Sequence, residues 1–206
     1  MRARLIAMAA VLCVGVAACG SAPQDEVSEN SSGLDNPPVI ALWQDVQGIN
    51  VPFGAEDGPA SGPYQPFTGF THTPQGAALA AITQSVQLST AVDSQWTKIL
   101  STVAAPGEGR DFYAAHRALI SITDMVDPGA APEIIGYQWR SYEPALAEIN
   151  VVQRYPDDSL GANRVVVVWN GEDWQLELPG PGEDRTATVL DAIPDDTVRL
   201  KEEASK

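Results

Sequence analysis

A chain of 206 residues fits one domain of moderate size with tails. Its formal net charge of −15 excludes nucleic acid and anionic lipid headgroups as partners, because like charges repel. Sixteen Pro and seventeen Gly point to long loops.

Residues 1–18 read as a lipoprotein signal peptide. Arg2 and Arg4 form a positive start, and an apolar run follows that is too short to cross a membrane, which takes about 20 residues. The run ends in Val16-Ala17-Ala18-Cys19, which resembles a bacterial lipobox. That resemblance implies a lipidated Cys19 at the mature N-terminus and a protein held on the extracytoplasmic face of the cell membrane. Two acyl chains suffice for stable anchoring where one is marginal. Cleavage before Cys19 removes Arg2, Arg4 and Cys13, shifts the charge to −17 and leaves no thiol for a disulfide.

Residues 19–38 carry the lipidated Cys and a polar, acidic spacer with too little apolar surface to fold. A spacer of this length spans roughly 25 Å. Residues 39–72 read as a Pro- and Gly-rich loop pressed onto the domain by Trp43, Phe53, Tyr64, Phe67 and Phe70.

The α+β domain is expected over residues 73–178. Thr73-Pro74 is a helix start, with Thr as N-cap and Pro at the first helical position. The first helix is predicted over 74–92, with Leu79, Ile82 and Val86 inward and Gln75, Gln84 and Gln87 on the wet side. Asp93-Ser94 is expected to cap a second helix carrying Trp96, Ile99, Leu100 and Val103 on one face. A third is predicted over 108–124, burying Phe112, Ala115, Leu119 and Ile122. After Pro132 the period becomes two, and four strands joined by short turns follow, the last pair through Asn170-Gly171. Short turns make them antiparallel. The expected fold is three N-terminal helices packed on a curved four-stranded antiparallel sheet. Residues 179–206 read as an acidic extended tail, with one short docked element around Val189, Leu190 and Ile193.

Two motifs carry a family resemblance: Gly69-Phe70-x-His72-Thr73-x-x-Gly76-Ala77 near the first helix, and Trp169-x-Gly171-x-Asp173-Trp174 at the last turn. With Val51-Pro52-Phe53-Gly54 upstream, they resemble a family of actinobacterial membrane-anchored proteins that share a domain of unknown function. The order of elements also resembles the nuclear-transport-factor-2-like (cystatin-like) fold of type IV secretion and conjugation assembly proteins. The resemblance implies a non-catalytic, partner-binding component of an envelope machine.

Enzymes of that fold keep acids, Tyr and His in the cone between helices and sheet. The residues that would fill such a pocket are His72, Tyr113, His116, Asp124, Tyr137 and Trp139. Each also has a structural reading: His116 borders an apolar face, and His72 can bond a carbonyl of the preceding loop. No nucleophile elbow or phosphate loop occurs. Two distant His without a Cys make no zinc site, so neither metal nor cofactor is expected. The expectation is a surface lipoprotein with an envelope protein partner and no catalysis. The alternative is a small-molecule binder or lyase- or isomerase-like domain using the cone.

Overall fold

The structure is a computed structural model that describes residues 33–201 apart from Pro63 and Asp184. The signal peptide, Cys19 and most of the expected spacer lie outside the described residues. The elements run β1 (Ile40–Val46), β2 (Ile49–Gly54), α1 (Pro74–Thr90), α2 (Trp96–Val103), α3 (Glu108–Arg117), β3 (Glu133–Glu143), β4 (Leu146–Arg154), β5 (Leu160–Trp169), β6 (Trp174–Leu176), β7 (Thr188–Leu190) and β8 (Val198–Arg199).

This order corrects the expected fold. The helices are not N-terminal: the β1–β2 hairpin precedes them. The larger sheet has six strands in the order β6-β5-β4-β3-β8, with β7 also on β5. The four-stranded, nuclear-transport-factor-2-like arrangement therefore does not describe this chain. The hairpin sits where Pro and Gly were expected to forbid regular structure. Both strands of a two-stranded sheet are edges, where a proline such as Pro52 is tolerated. The turn is Gln47-Gly48, with φ of 54° and 94°, the two positive values that a type I′ turn needs.

The four expected strands are present as the antiparallel meander β3 to β6. Residues 179–201 do more than trail. β7 pairs with β5, Val198 and Arg199 pair with β3, and Lys201 bonds Glu133. The docked element at Val189 and Leu190 is β7.

Helix α1 is the centre of the molecule. Thr73 caps it as expected, its hydroxyl accepting from Gly76 N at 3.0 Å. The helix packs against β1 and β2 as well as β4, β5 and β6. Residues all around it are buried, from Ala77, Leu79 and Ile82 to Thr83, Gln84, Gln87 and Thr90. The side expected to be wet is thus inside. Gln84 Nε2 donates to Phe67 O at 3.1 Å and Trp174 O at 2.9 Å. Gln87 accepts from Phe67 N and donates to Gln65 O. These amides fasten the segment at 65–67 to α1.

The third helix ends at Arg117, not near residue 124, and its inner face is shifted by one residue from the expected one. Tyr113 and Arg117, four apart, point inward, while Phe112 is 38% exposed and Leu119 81% exposed. Asp93 does not cap α2, whose N-cap Gln95 makes no side-chain bond.

Replacing Gln84 by Leu removes the donor from two buried carbonyls. At about 1–3 kcal/mol for a buried group left unpaired, Gln84→Leu is expected to lower unfolding free energy by roughly 2–4 kcal/mol in urea titration. A loss below about 0.5 kcal/mol would show that the amide is not a fastening.

Candidate functional site

The two motifs, about a hundred positions apart in sequence, form one junction. In the β5–β6 turn, Asn170 Oδ1 accepts from Glu172 N and Asp173 N at 2.9 Å, which folds the loop back and presents Asp173. The Asp173 carboxylate then accepts from Gly69 N at 2.7 Å and Phe70 N at 3.1 Å, and from Trp174 N. Trp174 Nε1 donates to Thr71 O at 3.0 Å. Gly69 has φ of 81°, and a Cβ there would lie 2.7 Å from Ala60 Cβ, so the site requires glycine. Gly76 makes room for the entering loop and not for the sheet: a Cβ would lie 2.1 Å from Thr71 O.

His72 lies on this junction. Its ring stacks on Trp169 at 4.2 Å and 14°, and Nε2 meets Pro144 O at 2.5 Å. The carbonyl it engages belongs to the β3–β4 turn and not to the preceding loop. The ring therefore ties the start of α1 to the β3–β4 turn and to the end of β5.

Tyr137 and Trp139 lie on β3. Tyr137 is fully buried, with Trp139 edge-on at 5.3 Å. Burial pushes the Tyr137 hydroxyl pKa above its ordinary range, and the charge of Asp57 adds to the rise. Asp57 itself accepts from Thr71 Oγ1 at 2.6 Å and Thr73 Oγ1 at 3.0 Å. The Tyr137 hydroxyl has no hydrogen-bond partner among the described residues. Trp139 Nε1 donates to Leu34 O, and Gln75 donates to Gly33 O and Asn36 O. Residues 33–38, expected to belong to the spacer, are docked on the domain by these bonds.

Tyr113 and His116 belong elsewhere. Tyr113 OH donates to Leu88 O at 3.1 Å, and burial raises its pKa. His116 is exposed, with Nδ1 meeting Phe112 O within its own helix. Asp124 is exposed and accepts from Thr123. The candidate residues thus fall into separate groups: His72 on the motif junction, Tyr137 in the core, His116 on an outer helix. No acid–base pair forms among them, which a proton-transfer site would require at hydrogen-bond reach. Among the described residues no three His, Cys, Asp or Glu gather to hold a metal, and no helix is long and apolar enough to cross a membrane.

A further cluster was not read from sequence. Arg117 is buried, and its guanidinium donates to Asp93 Oδ1, Ala91 O and Ile120 O, each at 2.9 Å. It lies 5.5 Å from the centre of the Trp96 ring. Asp93 also accepts from Ser121 Oγ at 2.6 Å and Ile122 N at 3.0 Å. Those bonds, with Ser121 leading and Arg117 helping, pull the Asp93 pKa down to about 2 from 3.8. The pair pins the segment after α3, in which Leu119 and Ile120 are exposed, as Phe112 is on α3 itself. The spacing of four between Tyr113 and Arg117 was the available signal. A buried arginine was masked by its usual reading as a solvated residue.

Residues 15–194 match the family described as a domain of unknown function (DUF8175), and the chain belongs to that family. Both motifs lie within the match. The domain of unknown function expected from the motifs is thereby found, whereas nothing supports a nuclear-transport-factor-2-like relationship. No match is found among curated proteins or among solved structures.

Because the folded pKa of Asp93 is depressed, its contribution to stability is present above about pH 4 and is lost as pH falls from 3.8 toward about 2. Asp93→Asn is therefore expected to melt below the parent protein at pH 6, with the gap in Tm closing as pH approaches 2. A gap that stays constant over this range would contradict the role given to the carboxylate.

Proposed function

We propose that this protein is a non-catalytic component of the cell envelope, held to the membrane by lipid on Cys19, that binds a protein partner through the apolar end of α3. The observation that carries the reading is the set of exposed apolar side chains Phe112 on α3 and Leu119 and Ile120 just after it. They do not lie on a loose loop, since the Arg117–Asp93 cluster holds the segment in place. Apolar groups kept on a fixed surface suit a docking face, where preorganisation lowers the entropic cost of binding. The lipobox-like Val16-Ala17-Ala18-Cys19 supports the anchor. The link to secretion or conjugation machines came with the nuclear-transport-factor-2-like order of elements and is not carried further.

The small-molecule reading has one observation in its favour. A groove of about 280 Å³ separates α1 and Tyr113 of α3 from the edge of the sheet at β5 and β6.

Affinity capture of the full chain from mildly crosslinked, detergent-solubilised membranes tests the partner. The expected result is a defined envelope protein with the parent chain. Leu119→Glu with Ile120→Glu should abolish its recovery while leaving the melting temperature within about 2 °C, as surface changes do. Recovery of the free chain alone would contradict the reading. Intact mass of the N-terminal fragment tests the anchor: diacylglycerol on Cys19 is expected, and an unmodified terminus would refute it.

A further inference from the structure

Strand β5 has an outer edge shared by two short partners. β7 covers residues 160–162 and β6 covers residues 167–169. Residues 163–165 between them pair with neither strand. The groove of about 280 Å³ lies over this stretch. Its walls are Leu88 of α1, Tyr113 of α3, Val165, Leu176 and the chain leaving β6 through Leu178 and Pro179. These are apolar surfaces, with Ser85 and Ser89 of α1 beside them.

Two arginines line the same groove. Arg164 directs Nε and Nη2 to the Glu148 carboxylate at 2.8 and 2.9 Å. Glu148 is also bonded by Arg140, and the charge of Glu183 acts on Arg164 as well. Arg185 engages the backbone carbonyl of Glu177 and, at 3.4 Å, the Glu183 carboxylate. Arg185 Nε is buried and has no acceptor among the described residues. A buried N–H without an acceptor is costly, and an acceptor supplied by a ligand would relieve it. Glu177 is the acid on the lining, and its side chain is exposed.

An apolar trough with guanidinium groups at its side selects a particular chemistry. The trough takes an alkyl chain, and Arg185 Nε, which has no acceptor among the described residues, takes an oxygen of a carboxylate. The volume lies just under the roughly 300 Å³ at which small-molecule sites begin, so the chain must be single and short.

We propose that this groove binds a free medium-chain fatty acid, with its carboxylate on Arg185 beside Arg164 and its chain between Leu88, Tyr113 and the β5–β6 edge. The site is separate from the apolar end of α3, and its failure would leave the protein-partner reading standing.

Isothermal titration of the full chain with sodium decanoate, kept below its micellar concentration, tests this. One decanoate per chain is expected. Octanoate should bind about 15-fold more weakly, the effect of two buried methylenes. Decanol should bind at least tenfold more weakly than decanoate, for want of a carboxylate. Arg185→Gln should weaken decanoate at least tenfold and leave decanol unchanged, with folding followed by circular dichroism. No heat from decanoate would overturn the proposal, as would equal affinity for decanol and decanoate or for octanoate and decanoate. The chain-length and head-group comparisons need no variant, so they decide the matter even if Arg185→Gln fails to fold.

Discussion

Everything in this structure follows from the burial of α1. A helix at a protein surface keeps its polar face in water. α1 has a sheet against more than one of its faces, and its polar side chains lie inside with its apolar ones. Buried polar groups must be bonded or they cost free energy. Thr83 and Thr90 satisfy themselves on carbonyls one turn back. Gln84 and Gln87 cannot do so, and they reach to Gln65, Phe67 and Trp174. Those bonds decide where residues 65–67 run. That path carries Gly69 and Phe70 to Asp173 and His72 to Trp169. The hairpin layer, the helix and the sheet are thereby joined into one body.

This changes what the motifs mean. A stretch that gathers Gly, His, Thr and Pro beside an Asp and two Trp has the composition of an active site. Its bonds are spent on backbone groups: Asp173 on two amides of the loop, His72 on a turn carbonyl, Trp174 on Thr71 O. The junction fixes the fold, and the two surfaces proposed to bind lie farther out. One is the apolar end of α3, held by Arg117 and Asp93. Another is the groove over the open stretch of β5.

The sequence announced what depends on local chemistry. Thr73-Pro74 started α1 where expected, and alternation with Asn170-Gly171 marked the β3 to β6 meander. It concealed what depends on tertiary context. Gln47-Gly48 turns a hairpin without the Asn-Gly that signals one, and Pro52, a strand breaker by local chemistry, sits on an edge strand that accepts it. Gln84 and Gln87 were placed in water because amides usually are; only the arrival of a second layer buries them. The inner face of α3 was misjudged because Phe112 outweighs Tyr113 in hydropathy, and nothing local says that Arg117 is inside. At the candidate site, the two motifs were legible one by one. Their contact was not, since it spans about a hundred residues and joins one carboxylate, one indole and one ring stack to a loop whose path depends on α1.

Native-state hydrogen exchange read at single amides tests the unity of this body most directly. The account predicts that Phe67, Gly69 and Phe70, though outside any helix or strand, exchange with the same opening free energy as the core of α1 and β6, because all must separate together. Exchange of those three amides at the rate of an ordinary surface loop, while α1 stays protected, would contradict it.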